Sequence, residues 1–142
     1  MKRLFWVSLV VMALVVISCG KAAVKKVSED SKTATGSFAL IESIKEAYCK
    51  KDVSGIENYT TVDGFRAISR VVKPFDSAEL SFTPVLVEID DDGNVNVNVS
   101  WKGTWKKGEK TSEERGMAVF VLKGMPLKVD AVLRANPFKY PE

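Results

Sequence analysis

Apolar and polar positions divide the chain into four stretches with different periods. Leu4 to Ile17, LFWVSLVVMALVVI, is an unbroken apolar run except for Ser8. Lys21 to Gly36, KAAVKKVSEDSKTATG, has no apolar period and reads as a flexible tether. From Ser37 the period is helical: Phe38, Leu40, Ile41, Ile44, Ala47 and Tyr48 recur at three- and four-residue spacing. After Pro74 the period falls to two, as a strand requires.

The helical stretch predicts three helices. Ser37 is the expected cap of the first, with Glu42, Lys45, Glu46 and Lys50 on the opposite face. Asp52 is the expected cap of a short second helix carrying Ile56 and Tyr59. Asp63 is the expected cap of a third, with Phe65, Ile68, Val71 and Val72 inward. Pro74 stops it.

Four strands follow. Leu80 to Ile89 is the first, and Pro84 within it implies an edge position or a bulge. Asp91-Asp92-Gly93-Asn94 is a tight turn. Val95, Val97, Val99 and Trp101 then alternate with Asn96, Asn98 and Ser100, which marks a half-buried strand that Trp105 extends past Gly103. Met117 to Leu122 is apolar on both sides and predicts a central strand covered on both faces. Leu127 to Leu133 is the last strand, and Phe138 is an apolar plug after it. Helices grouped before a meander give an α+β domain, with the helices on one face of a curved antiparallel sheet of about four strands.

Position-specific chemistry is concentrated at the start. Met1-Lys2-Arg3, the apolar run and a small-residue end form the order of a secretory signal peptide over 1–18. A 14-residue helix spans roughly 21 Å, short of a ~30 Å hydrocarbon core. Val16-Ile17-Ser18-Cys19 resembles the bacterial lipobox, which has a branched apolar residue at −3, a small residue at −1 and then cysteine. The resemblance implies that Cys19 is acylated and becomes the mature N-terminus. The lipid bilayer is then a partner through Cys19, and the chain faces the extracytoplasmic side. Gly20 is not the Asp that favours inner-membrane retention, so outer-membrane delivery facing the periplasm is expected in a two-membrane cell. The expected organisation is a signal peptide over 1–18, a lipidated tether over 19–36 and one domain over 37–142.

Composition narrows the chemistry further. The 142 residues are 46% apolar and 27% charged, which is globular. The net charge is +3, and without residues 1–18 it falls to +1, with no footprint for nucleic acid. Histidine is absent, which removes the commonest general base and metal ligand. Of the two cysteines, lipidation of Cys19 leaves Cys49 alone, with no disulfide and no cysteine-based zinc site. Asp90-Asp91-Asp92-Gly93-Asn94 lacks the twelve-residue ligand pattern of a calcium loop. No cofactor or metal is expected.

The helix–sheet order and the segment IKEAYCKKDVSGIENY resemble the nuclear transport factor 2-like superfamily, with its SnoaL-like and ketosteroid-isomerase-like domains. The matching residues are Ile41, Ile44, Tyr48, Asp52, Ile56 and Tyr59 on the helices. Trp101, Gly103, Trp105 and the stretch from Leu127 to Val132 match on the strands. The resemblance covers roughly 37–138 and implies a cone-shaped fold with an internal pocket. The strand such domains usually carry between the second and third helices is not evident, and their catalytic Asp and His have no counterpart.

The residues that would line such a pocket are Tyr48, Tyr59, Trp101 and Asp130. Buried in it, Asp130 would have a raised pKa and act as a base, with Arg115 as a partner. On an alternating strand it would instead face water with Lys128. Two functions remain open. One is non-catalytic binding or scaffolding of an envelope protein through the outer sheet face of Asn94, Asn96, Asn98, Ser100 and Lys102. The other is binding of a small apolar ligand, or isomerase- or cyclase-like chemistry, inside the cone.

Overall fold

The computed structural model describes residues 28–141. The signal segment, Cys19 and the lysines Lys21, Lys25 and Lys26 lie outside the described residues. Three helices, α1 (Glu29–Lys50), α2 (Val53–Asn58) and α3 (Val62–Ser69), precede four strands. These are β1 (Ser77–Ile89), β2 (Val95–Lys107), β3 (Lys110–Lys123) and β4 (Lys128–Arg134). The strands form one antiparallel sheet in the order β1-β2-β3-β4, an α+β arrangement.

Helix α1 starts eight residues before the expected cap at Ser37. Ser28 is the cap, its side chain accepting from the Ser31 amide. Glu29 and Asp30 complement the helix dipole in the first turn, and Lys32 pairs with Glu29 at 2.8 Å. These local contacts extend the helix through a stretch with no apolar period. Ser37 is instead an interior, buried residue. The helix ends at Lys51, which adopts the left-handed conformation at φ 61° and closes the turn onto Ala47 and Tyr48.

Asp52 caps α2 through the Gly55 amide. The cap of α3 is Thr61, two residues before the expected Asp63, which sits in the first turn. Between α2 and α3 the chain touches the free edge of β4. Val129 donates to the Tyr59 carbonyl and accepts from the Thr61 amide, and Thr60 forms a single parallel bridge with Val129. Gly64 lies so close that a Cβ there would sit 2.1 Å from the Val129 carbonyl oxygen. This contact protects part of an exposed sheet edge.

β1 is an edge strand, and its register slips between Pro84 and Leu86, as a proline inside a strand requires. Across the sheet, residues directly opposite share a face. Val95, Val97, Val99, Trp101 and Trp105 share the buried face with Ala78, Leu80 and Phe82 of β1 and with Ala118, Phe120 and Leu122 of β3. The helices pack on this face: Ile41, Ile44, Ile56 and Ile68 join the same core. Strand β3 is central, but the expectation of cover on both faces is not met. Ala118, Phe120 and Leu122 are buried, whereas Val119 and Val121 are half-buried and Met117 is 38% exposed.

Candidate functional site

The covered side of the sheet is filled by rings. Tyr48 of α1 packs at 5.1 Å, with its ring tilted, against both Phe75 and Phe138, and Phe138 meets Phe82 and Phe120 edge-on. Phe138 is fully buried and holds the C-terminal segment under α1. The Tyr48 hydroxyl accepts a hydrogen bond from Trp105 Nε1 at 2.8 Å. Burial pushes its pKa up to about 12, against the opposing effect of that hydrogen bond.

Two glycines seat the two indoles. A Cβ on Gly103 would lie 2.3 Å from the Trp105 ring, and a Cβ on Gly116 would lie 3.1 Å from the Trp101 ring. The rings meet at right angles with centroids 6.4 Å apart. Trp101 Nε1 donates to the Ala135 carbonyl at 2.9 Å, so its polar atom is used within the protein. Trp101 and Trp105 of β2, with Gly103 between them and Gly116 opposite on β3, are therefore a packing device.

The four residues proposed as pocket-lining are spread apart. Tyr48 and Trp101 are core residues. Tyr59 is 40% exposed and lines a polar dent with Ser43, Glu46 and Asn58. Asp130 lies where β4 slips register against Val121 and Leu122. Its carboxylate accepts from Lys123 Nζ and Thr61 Oγ1, each at 2.8 Å. Lys123 first, then Thr61, holds its pKa below the usual carboxylate value, the opposite of the raised pKa a buried base would have. Lys123, not Arg115, is its partner. Thr61 Oγ1 also accepts from the Gly64 amide, so Asp130 fixes the α3 cap to the sheet.

An apolar groove of about 460 Å³ opens beside this core, walled by Val53, Ile56, Val72, Pro74 and Phe75, with Tyr48 at its base. Lys51 stands at its rim, donating to the Asp76 carbonyl and lying 5.3 Å from the Phe75 ring centre. The proline after α3 and the tight α1–α2 turn leave Val53 and Val72 exposed over the buried Ile56 and Phe75.

The outer sheet face is different in kind. Asn98 lies opposite Leu86 on one side and Val119 on the other, and Val119 lies opposite Leu133. Asn96 lies opposite Val121, and Ser100 opposite Met117. Leu86 is 52% exposed and Leu133 50%. The alternation of β2 marks its amides as outward-facing, but the flanking apolar side chains are not legible there, because β3 is apolar at every position from Met117 to Leu122.

Among the described residues no three His, Cys, Asp or Glu side chains cluster as metal ligands, and no helix is long and apolar enough to cross a membrane. No family model matches the chain, and comparison with curated proteins and with solved structures gives no match.

Proposed function

We propose that this chain is a membrane-anchored, extracytoplasmic lipoprotein whose nuclear transport factor 2-like domain binds a protein in the cell envelope without catalysis. Cys19 carries the acyl anchor, and the outer face of the sheet carries the contact. The observation behind the second point is the filling of the covered side. Tyr48, Phe82, Trp101, Trp105, Phe120 and Phe138 are buried where a cone pocket would lie. The groups that would serve as acid or base are also occupied: Tyr48 stays neutral to about pH 12, and Asp130 is held ionised by Lys123 and Thr61. The outer face combines amides with exposed apolar side chains, the mixture found in binding surfaces.

A second reading is binding of a small apolar ligand, and the groove between Val53 and Phe75 favours it. It is of the size of small-molecule sites, and its walls are apolar.

Fractionation of a Cys19→Ser variant tests the anchor: the protein leaves the membrane fraction if acylation holds it there. Retention at mature size contradicts the anchor. Affinity capture of the lipidated chain, with and without Asn96→Lys, tests the surface. Loss of co-purifying protein supports it, and an unchanged set of partners counts against it.

A further inference from the structure

The two edges of the sheet differ in what meets them. On β4, the N–H and C=O of Val129 are taken by Tyr59 and Thr61. On β1, α1 lies along the first half, with Lys45 over the Phe82 ring and Cys49 against the Leu80 backbone. Past Pro84 the edge is Val85-Leu86-Val87-Glu88-Ile89. Asp90 donates its N–H to the Asn94 carbonyl and accepts from the Gly93 amide, so its backbone groups face across the hairpin. Backbone groups alternate in direction along an antiparallel pair. Those of Val87 and Ile89 therefore face away from β2, where no described strand lies. Val85, Leu86 and Ile89 are 58%, 52% and 38% exposed. An apolar edge of this kind, with neither lysine nor proline beyond the bulge, is a template for another strand.

We propose that this edge takes up an extended segment of a partner protein as a fifth strand, and that the segment alternates apolar with basic residues. This is a second contact beside the outer face, and it does not rest on the outer-face reading. The backbone groups of Val87 and Ile89 call for a partner in the extended conformation. The apolar positions follow from the pleat. Val87 and Ile89 lie opposite Val97 and Val95, which are fully buried, so apolar residues of the added strand extend the covered side. Leu86 and Glu88 lie opposite Asn98 and Asn96, on the outer side.

Charge selects the residues on that outer side. Between Thr83 and Trp101 the charged residues are Glu88, Asp90, Asp91 and Asp92, with no Lys or Arg. Glu88 and Asp90 meet the side-chain amides of Asn98 and Asn94, which leave their charges uncompensated. Further along β2, Lys102 is opposite Ser81, and on β3 Lys123 pairs with Asp130. On α1, Lys32 and Lys45 are paired with Glu29 and Glu42. A lysine or arginine beside Glu88 is therefore attracted, and a carboxylate is repelled. The same argument disfavours a second copy, since joining two β1 edges brings two Glu88 carboxylates together on one face. So short a strand makes a small contact, and its binding is weak and reversible.

The test uses the full chain in neutral detergent, with a short capped peptide of alternating lysine and valine as the probe. Amide exchange at Val87 and Ile89 is expected to slow when the peptide is added, with Glu88, whose groups face β2, unchanged. A peptide of alternating glutamate and valine is expected to bind roughly tenfold more weakly. N-methylation of one alternate set of peptide amides is expected to abolish binding, and of the other set to spare it. Val87→Pro removes an outward N–H that the β1–β2 ladder does not use. It is expected to keep the fold, read by tryptophan fluorescence, and to lose the peptide. No slowing at Val87 and Ile89, binding by folded Val87→Pro, or equal effects of the two methylated peptides overturns strand addition. Equal binding of the glutamate peptide overturns the basic partner. Slow exchange at Val87 and Ile89 before any peptide is added overturns an outside partner. In a dimer a second copy then fills the edge, and in a monomer the chain's own 19–27 segment does. If Val87→Pro does not fold, the methylated peptides carry the test.

Discussion

Trp105 of β2 donates its indole N–H to the Tyr48 hydroxyl of α1 at 2.8 Å, across a core otherwise made of rings and branched aliphatics. The bond ties the C-terminal end of the first helix to the far end of the longest buried strand face. It also accounts for how a tyrosine sits 1% exposed without leaving its polar atom unpaired.

Replacing the acceptor alone is the direct probe. Tyr48→Phe keeps the ring and leaves Trp105 Nε1 buried without a partner, which costs about 1–3 kcal/mol. Chemical denaturation followed by tryptophan fluorescence measures it. Trp105→Phe in the Tyr48→Phe background should then cost less than Trp105→Phe alone costs, because the hydrogen bond is already gone.

The same hydroxyl sets an alkaline limit. Its folded pKa, about 12, lies above the ordinary value of 10.0, so the folded state favours the proton. Stability is fully present below pH 10 and falls as pH rises from there through 12. Absorbance titration of tyrosinate should show one tyrosine ionising late, together with unfolding. In Tyr48→Phe that late step should vanish.

Asp130 acts at the other end of the pH scale. Lys123 and Thr61 lower its folded pKa, so its contribution is complete above its unfolded value of about 3.9 and is lost as pH falls through the lowered one. Asp130→Asn should leave a flatter fall in denaturation midpoint below about pH 4 than the parent shows. It should also loosen α3, which amide exchange at Gly64 and Phe65 would detect.

The glycines give a steric prediction. Gly103→Ala drives a methyl into the Trp105 ring and into Leu80, at 2.3 and 2.6 Å, and overpacking of this kind costs about 1–3 kcal/mol. Gly93→Ala meets nothing within 4 Å, although its φ of 80° strains an alanine in the turn. Thermal melts of the two variants separate packing cost from turn strain, with near-ultraviolet circular dichroism changed only in Gly103→Ala.

Much of the fold is legible where a single period operates. Val95 to Trp101 alternates cleanly because one side of β2 meets the helices and the other does not. Asp91 to Asn94 reads as a turn because Gly93 must take a positive φ, and Asp90 tightens the turn by accepting from Asn94. The start of α1 is hidden because local caps and ion pairs create it, without an apolar stripe. Thr61 outcompetes Asp63 as a cap because its hydroxyl is also gripped by Asp130, 69 residues away, and no local pattern records that contact. The outer face was only half legible. Its amides alternate, but Met117, Val119 and Val121 sit among equally apolar neighbours, so sequence alone reads their strand as buried on both sides.

The central claim is that binding occurs on the outer sheet face and not in the apolar groove beside the helices. A photo-reactive residue placed at Asn98, and separately at Val53 on the groove rim, tests it in intact cells. Both positions are accessible, Val53 being 61% exposed and Asn98 half-exposed. The account predicts protein adducts from Asn98 and none from Val53. Adducts from Val53 with none from Asn98 would contradict it.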